Sequence, residues 1–137
     1  MGKSKGSCGC GAVVYSLASD IINIVNCHCN MCKEHTGSSF STYAVLPFTA
    51  LEIKKGGDEV SQYKLGEGQK HFCKKCGTPL YNTNKKYPGV CMIFLGTLKN
   101  STEYTPKINI WGESKFSWVN QICEIQTLEQ GIENKNA

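Results

Sequence analysis

No apolar run in the chain exceeds the stretch 90–95, far short of the ~20 residues that cross a bilayer as a helix. No apolar stretch follows the basic residues at the start, so no secretory signal is expected and the chain reads as cytoplasmic. Met1-Gly2 opens like a myristoylation site, yet Gly6 stands where that motif needs Ser or Thr. Asn100-Ser101-Thr102 matches a glycosylation sequon, which without a secretory route reads as chance. Internal repeats, low-complexity tracts and linkers are missing, so the 137 residues read as one domain, 1–137, with 133–137 as a frayed tail. Strong charge is missing too. Fifteen basic residues face 11 acidic ones, and Lys54-Lys55, Lys74-Lys75 and Lys85-Lys86 are isolated pairs rather than a patch, which argues against a nucleic-acid partner.

A sustained helical period is also lacking; only 127–132 suggests a turn or two. Strand-like stretches rich in β-branched and aromatic residues dominate instead, at 12–17, 20–26, 40–46, 51–55, 59–64, 70–72, 80–82, 90–95, 107–111 and 121–125. Turn signals separate them, among them Gly56-Gly57 and Pro88-Gly89. The expected class is mostly β with antiparallel strands.

What is abundant is cysteine. Nine thiols without a secretory signal argue against disulfides, because a reducing compartment keeps thiols free, and the odd count would leave one unpaired. Seven fall into three groups: Cys8-x-Cys10, Cys27-x-Cys29-x-x-Cys32 and Cys73-x-x-Cys76. In extended chain, residues i and i+2 share a face, so each Cys-x-Cys can grip one ion. Cys-x-x-Cys reaches the same end through a tight turn, for which Gly77 tolerates positive φ. Such thiolate sets suit zinc or an iron–sulfur cluster. Seven ligands divide most naturally as four plus three, a closed site and an open one, and the open kind is the catalytic kind. Spacing alone does not say which group goes where; a zinc ribbon would instead pair Cys29-x-x-Cys32 with Cys73-x-x-Cys76.

The stretches "GSCGCGAVVYS", "CHCNMCKEHTGSSF", "YKLGEGQKHFCKKCGTPL", "FLGTL" and, more loosely, "PKINIWGESKFSW" resemble, in order and over nearly the whole chain, the GFA family of glutathione-dependent formaldehyde-activating enzymes, shared with centromere protein V. The resemblance implies a zinc-stabilised β-tent of folded antiparallel sheets. It implies that Cys8, Cys10, Cys73 and Cys76 hold a structural zinc, while Cys27, Cys29 and Cys32 hold a catalytic one. It also implies zinc-dependent carbon–sulfur lyase chemistry on a thiol–aldehyde adduct, with glutathione and formaldehyde as the namesake pair. The chain departs from the family pattern at Lys33-Glu34, at His71 and Asn109, and in its ending "QICEIQTLEQ".

A zinc held by three thiolates carries a net charge of about −1 and accepts a further thiol as thiolate, which can attack a small aldehyde. Lys33 or the Lys85-Lys86 pair could help to hold anionic glutathione. His28 is expected to point away from Cys27 and Cys29; His35 is near enough in sequence to carry a proton or to close the site as an eighth ligand; His71 could replace a cysteine ligand. Cys91 and Cys123 are expected in the core, Phe40, Tyr43, Phe94 and Trp111 in core or pocket wall. The segment 36–39 could offer backbone N–H groups to a carboxylate. The alternative is a non-catalytic zinc module whose surface binds a protein or nucleic acid.

Overall fold

The computed structural model describes residues 4–133. The frayed tail expected at 133–137 lies outside them except for Glu133. Among the described residues, ten strands form two sheets. The smaller joins β1 (Lys5–Ser7), β2 (Val14–Leu17) and β5 (Leu51–Lys55) in antiparallel order β1-β2-β5. The larger contains β3 (Asn23–Cys27), β4 (Ser41–Pro47), β6 (Val60–Leu65), β7 (Gly68–Cys73), β8 (Pro79–Asn84), β9 (Val90–Phe94) and β10 (Ile108–Ile110) in the order β10-β3-β4-β9-β8-β7-β6. Every pairing is antiparallel except β10 with β3, which is parallel. This is the β-tent that the resemblance implied.

Alternation along the strands gives the large sheet two different faces. On β4, Ala44 and Leu46 point to one face with Ile24, Cys91 and Ile93, and there they meet Val13, Tyr15 and Leu17 from the small-sheet side. Those residues are almost fully buried and form the main core. Tyr43 and Val45 point the opposite way, with Val25, Cys27, Met92 and Phe94. This second face is covered only in part. One helix, α1 (Asn30–Thr36), and the loop after β10 border it, and they leave a hollow on the sheet. Among the described residues no helix is long and apolar enough to cross a membrane.

Some expectations fail. The stretch 121–125 is not a strand: 121–124 end a 3₁₀ segment, Ser117–Glu124, with no buried residue, and no strand among the described residues offers them a ladder. Cys123 is consequently exposed rather than in the core, whereas Cys91 is fully buried as expected. Residues 127–132 form bends and a turn rather than helix. Helix α1 and strand β1 were not anticipated.

Candidate metal centres

Two loops build the first thiol cluster. At 73–77, Gly77 N–H donates to the Cys73 carbonyl at 2.7 Å, and Gly77 takes φ 81°, a left-handed value that closes the turn as expected. The loop at 8–11 is its counterpart: Gly11 N–H donates to the Cys8 carbonyl at 3.2 Å, with φ 79°. Thr78 joins the two, its Oγ1 accepting from Gly9 N–H at 3.0 Å and lying 3.0 Å from Cys76 Sγ. Cys8, Cys10, Cys73 and Cys76 thereby bring all four sulfurs within 4.8 Å of one another. Cys8 and Cys73 are buried, Cys10 and Cys76 exposed. Cys8–Cys10 is 3.6 Å and Cys10–Cys73 is 3.9 Å. Four sulfurs at 2.3 Å from one tetrahedral ion would stand ~3.8 Å apart, so both the spacing and the all-thiol donor set fit a metal ion. Contact with Thr78 pulls exposed Cys76 down to about 5.

The second cluster is local. Cys27 ends β3, Cys29 caps α1, and Cys32 sits in its first turn. The Cys29 sulfur accepts from Cys32 N–H at 3.2 Å, the position usually filled by a Ser or Asp oxygen. This cap turns the chain so that the sulfurs of Cys27, Cys29 and Cys32 lie within 4.8 Å of one another. Cys32 lies 3.4 Å from Cys27 and 3.2 Å from the Tyr43 hydroxyl. Beside the Cys27 sulfur, Cys32 is pulled down to about 5, while the same contact and burial raise Cys27. The set can hold a metal ion, and among the described residues no fourth His, Cys, Asp or Glu joins it.

The histidines stay apart from both clusters. His28 is buried, packs its ring on Phe40 at 5.0 Å and places Nε2 3.2 Å from Asn109 Oδ1. It braces the strand behind the triplet, as its expected direction required. His35 neither closes the triplet nor lines its hollow: Nδ1 is 2.5 Å from the Tyr63 hydroxyl, and the ring sits against Tyr63 and Phe94. His71 is no ligand either; it stacks on Tyr81 with centroids 4.1 Å apart. The groups of 36–39 are taken up at the end of α1: Gly37 N–H donates to the Lys33 carbonyl, Thr36 Oγ1 to the Cys32 carbonyl, and Ser38 N–H to Thr36 Oγ1. Lys33 donates to the Ser114 carbonyl at 2.8 Å and lies 3.9 Å over the Phe116 ring, so it fastens the loop after β10 rather than facing a substrate. Lys86 is at the rim of the hollow; Lys85 faces a separate one with His71.

The hollow has a volume of about 760 Å³. Its floor carries the three thiols, its walls include Val25, Val45, Met92 and Ile110, and exposed Trp111 stands at its edge with φ 58°. One polar group in it went unread in the sequence. Lys70 is only 6% exposed, and no carboxylate of the described residues pairs with it. With the Asn82 amide oriented to satisfy its neighbours, Lys70 Nζ donates to its oxygen at 3.3 Å, and the same oxygen accepts from the Tyr43 hydroxyl at 2.9 Å. Lys70, Asn82, Tyr43 and Cys32 thus form one connected row. The register explains it: Lys70 pairs with Asn82, Asn82 with Met92, and Met92 with Val45, all on the hollow's face.

Residues 3–114 match the family model described as "Glutathione-dependent formaldehyde-activating enzyme". A protein of Halomonas elongata named "Putative glutathione-dependent formaldehyde-activating enzyme" is 25% identical over 92% of this chain and 83% of its own. A relative of the same name in Emericella nidulans is 32% identical over 58% of this chain, but the match spans only 41% of that protein. Among solved structures, a crystal structure of a Rhodobacter sphaeroides protein shares the fold, with TM-score 0.62 and 20% identity, over 77% of this chain and 97% of that one.

Proposed function

Because the chain belongs to the glutathione-dependent formaldehyde-activating enzyme (GFA) family, we propose that it is a zinc-dependent carbon–sulfur lyase acting on a thiol–aldehyde adduct such as S-hydroxymethylglutathione. The observation that carries this reading is the inequality of the thiol clusters: four sulfurs where two loops meet, three on the floor of a cavity. It supports a structural zinc at Cys8, Cys10, Cys73 and Cys76 and a catalytic zinc at Cys27, Cys29 and Cys32. When bound at the triplet, zinc supplies an open coordination position that favours an incoming thiol as thiolate. The setting is a reducing cytoplasm, where free thiols persist, and residues 1–137 act as a single domain.

The chain's own residues supply the rest. Tyr43, fixed by Asn82, orients Cys32 through its hydroxyl. Lys70 Nζ holds the aldehyde oxygen and gives it a proton as the carbon–sulfur bond forms. Cleavage is the reverse: the hydroxyl proton of the adduct returns to Lys70 Nζ, the C–S electron pair leaves with sulfur, and the carbonyl is restored. The apolar walls exclude water from the exchange.

Exchange spectroscopy on carbon-13 formaldehyde equilibrated with glutathione tests the reading. Zinc-loaded protein should speed interconversion of free aldehyde and adduct, Cys29→Ser should abolish the effect, and Lys70→Met should lower it about a hundredfold, the usual worth of a positioned acid–base group. A wild-type rate equal to buffer would leave a non-catalytic zinc module as the better account.

A further inference from the structure

Strand β7 sends Lys70 into the hollow above the triplet and Gln69 and His71 to the opposite face of the sheet. On that face the register runs Lys64–Gln69–Thr83 and Gln62–His71–Tyr81 across β6, β7 and β8. The two rows continue into Cys91 and Ile93 of β9, which belong to the main core. Toward β6 a second hollow opens on this face, with a volume of about 470 Å³, the size of a small-molecule site.

Its floor holds an unpaired polar group. His71 is only 9% exposed and lies flat on Tyr81, and its Nε2 is buried without a hydrogen-bond partner among the described residues. An orphaned buried nitrogen is destabilising unless something binds it. The charge of the hollow is unbalanced as well. Lys64 and Lys85 border it against one acid, Glu67, and both ion pairs of the described residues, Lys54–Glu52 and Lys74–Glu59, lie elsewhere. One side is apolar, with Phe48 and Tyr87 presenting exposed rings beside Pro88 and Val90.

We propose that this second hollow binds a small organic anion, a carboxylate or phosphate group on a flat apolar body. The anionic oxygens lie among Lys64, Lys85 and His71, and the flat body rests against Phe48 and Tyr87. Burial holds His71 below the ordinary imidazole range, so near neutral pH its ring serves as a neutral N–H donor while the two lysines supply the charge. No cysteine lines the hollow, so this site stands or falls apart from the lyase reading. Glu67, Asn84, Tyr87 and Val90 line both hollows, which makes glutathione a necessary control.

Proton–nitrogen NMR of the full chain at fixed ionic strength tests it with benzoate, phenyl phosphate, acetate and benzyl alcohol. Benzoate or phenyl phosphate should move the His71 ring signals and the Gln69 and Thr83 amides at millimolar concentration, leaving Cys27, Cys29 and Cys32 in place; the tighter of the two identifies the head group. Acetate and benzyl alcohol each lack one half of the ligand and should bind about tenfold more weakly or worse. His71→Phe keeps the stack on Tyr81 and should weaken binding about tenfold, with a melting temperature unchanged or higher because the orphaned nitrogen is gone. Lys85→Met, at an exposed position, should weaken it about two- to fivefold. The proposal is overturned by the absence of any shift with either anion, by acetate or benzyl alcohol binding as well as benzoate, or by full affinity in His71→Phe. If glutathione moves the His71 and triplet signals together with one affinity, the hollow is an arm of the first site and the separate site is overturned.

Discussion

The two thiol clusters differ chiefly in how far apart their residues lie in the chain. Cys10 and Cys73 are 63 positions apart and join the loop after β1 to the turn between β7 and β8. Cys27 and Cys32 are five apart, and a single strand–helix junction brings them together. The first cluster closes a long loop and so takes part in topology. The second sits on a sheet face whose register is set by other residues, so its chemistry can be lost without the fold. On the proposed reading, distance along the chain separates a structural site from a working one.

The largest effect should come from breaking the long closure. Structural zinc contributes about 10–16 kcal/mol in small peptides, against a net domain stability of about 5–15 kcal/mol. Cys73→Ser should therefore give an insoluble or unfolded chain by circular dichroism, while Cys29→Ser stays folded. A Cys73→Ser variant with unchanged melting would break the comparison. Next in size is metal removal. A mild chelator should take one ion per chain from the three-thiol set with the far-ultraviolet spectrum intact, and the second ion should leave only with unfolding, followed by metal analysis alongside the spectrum. Simultaneous loss of both ions would show the two sites to be equivalent.

Tyr43→Phe sharpens the contrast within the second cluster. It removes the hydroxyl from Cys32 and from buried Asn82, at a cost of about 1–3 kcal/mol in a denaturant melt. Competition with a chelator should show weaker metal binding at the triplet and unchanged binding at the four-thiol set. The smallest effect belongs to Lys33→Met, which loses one bond to the Ser114 carbonyl and one contact over Phe116. At about 1 kcal/mol or less it should leave the melt nearly untouched. Limited proteolysis between Trp111 and Trp118 should nevertheless become faster.

How much of this could be read in advance follows the same division. The grouping of the seven clustered cysteines was legible because metal chemistry imposes short, fixed spacings. Most strands were legible because β-branched and aromatic residues alternate between turn signals, and 51–55 matches β5 end to end. Helix α1 was hidden, since seven residues are too few to display a period and its cap is a thiol rather than one of the usual oxygens. Lys70 was hidden because lysine is rarely buried; only its pairing with Asn82 across β7 and β8 reveals its direction, and that register is not written in either strand alone. At 121–125 an apolar, strand-like stretch misled, because a strand needs a partner and none among the described residues pairs with it.

The central claim, one closed and one open thiol site, is tested most directly by X-ray absorption at the zinc edge on the fully loaded chain. The account predicts two zinc ions sharing seven sulfurs at about 2.3 Å, with one lighter atom near 2.0 Å completing the coordination of the ion at the triplet, and Cys29→Ser should lower the sulfur count while the four-thiol signal persists. Purely sulfur coordination at both ions, or a single zinc per chain, would contradict it.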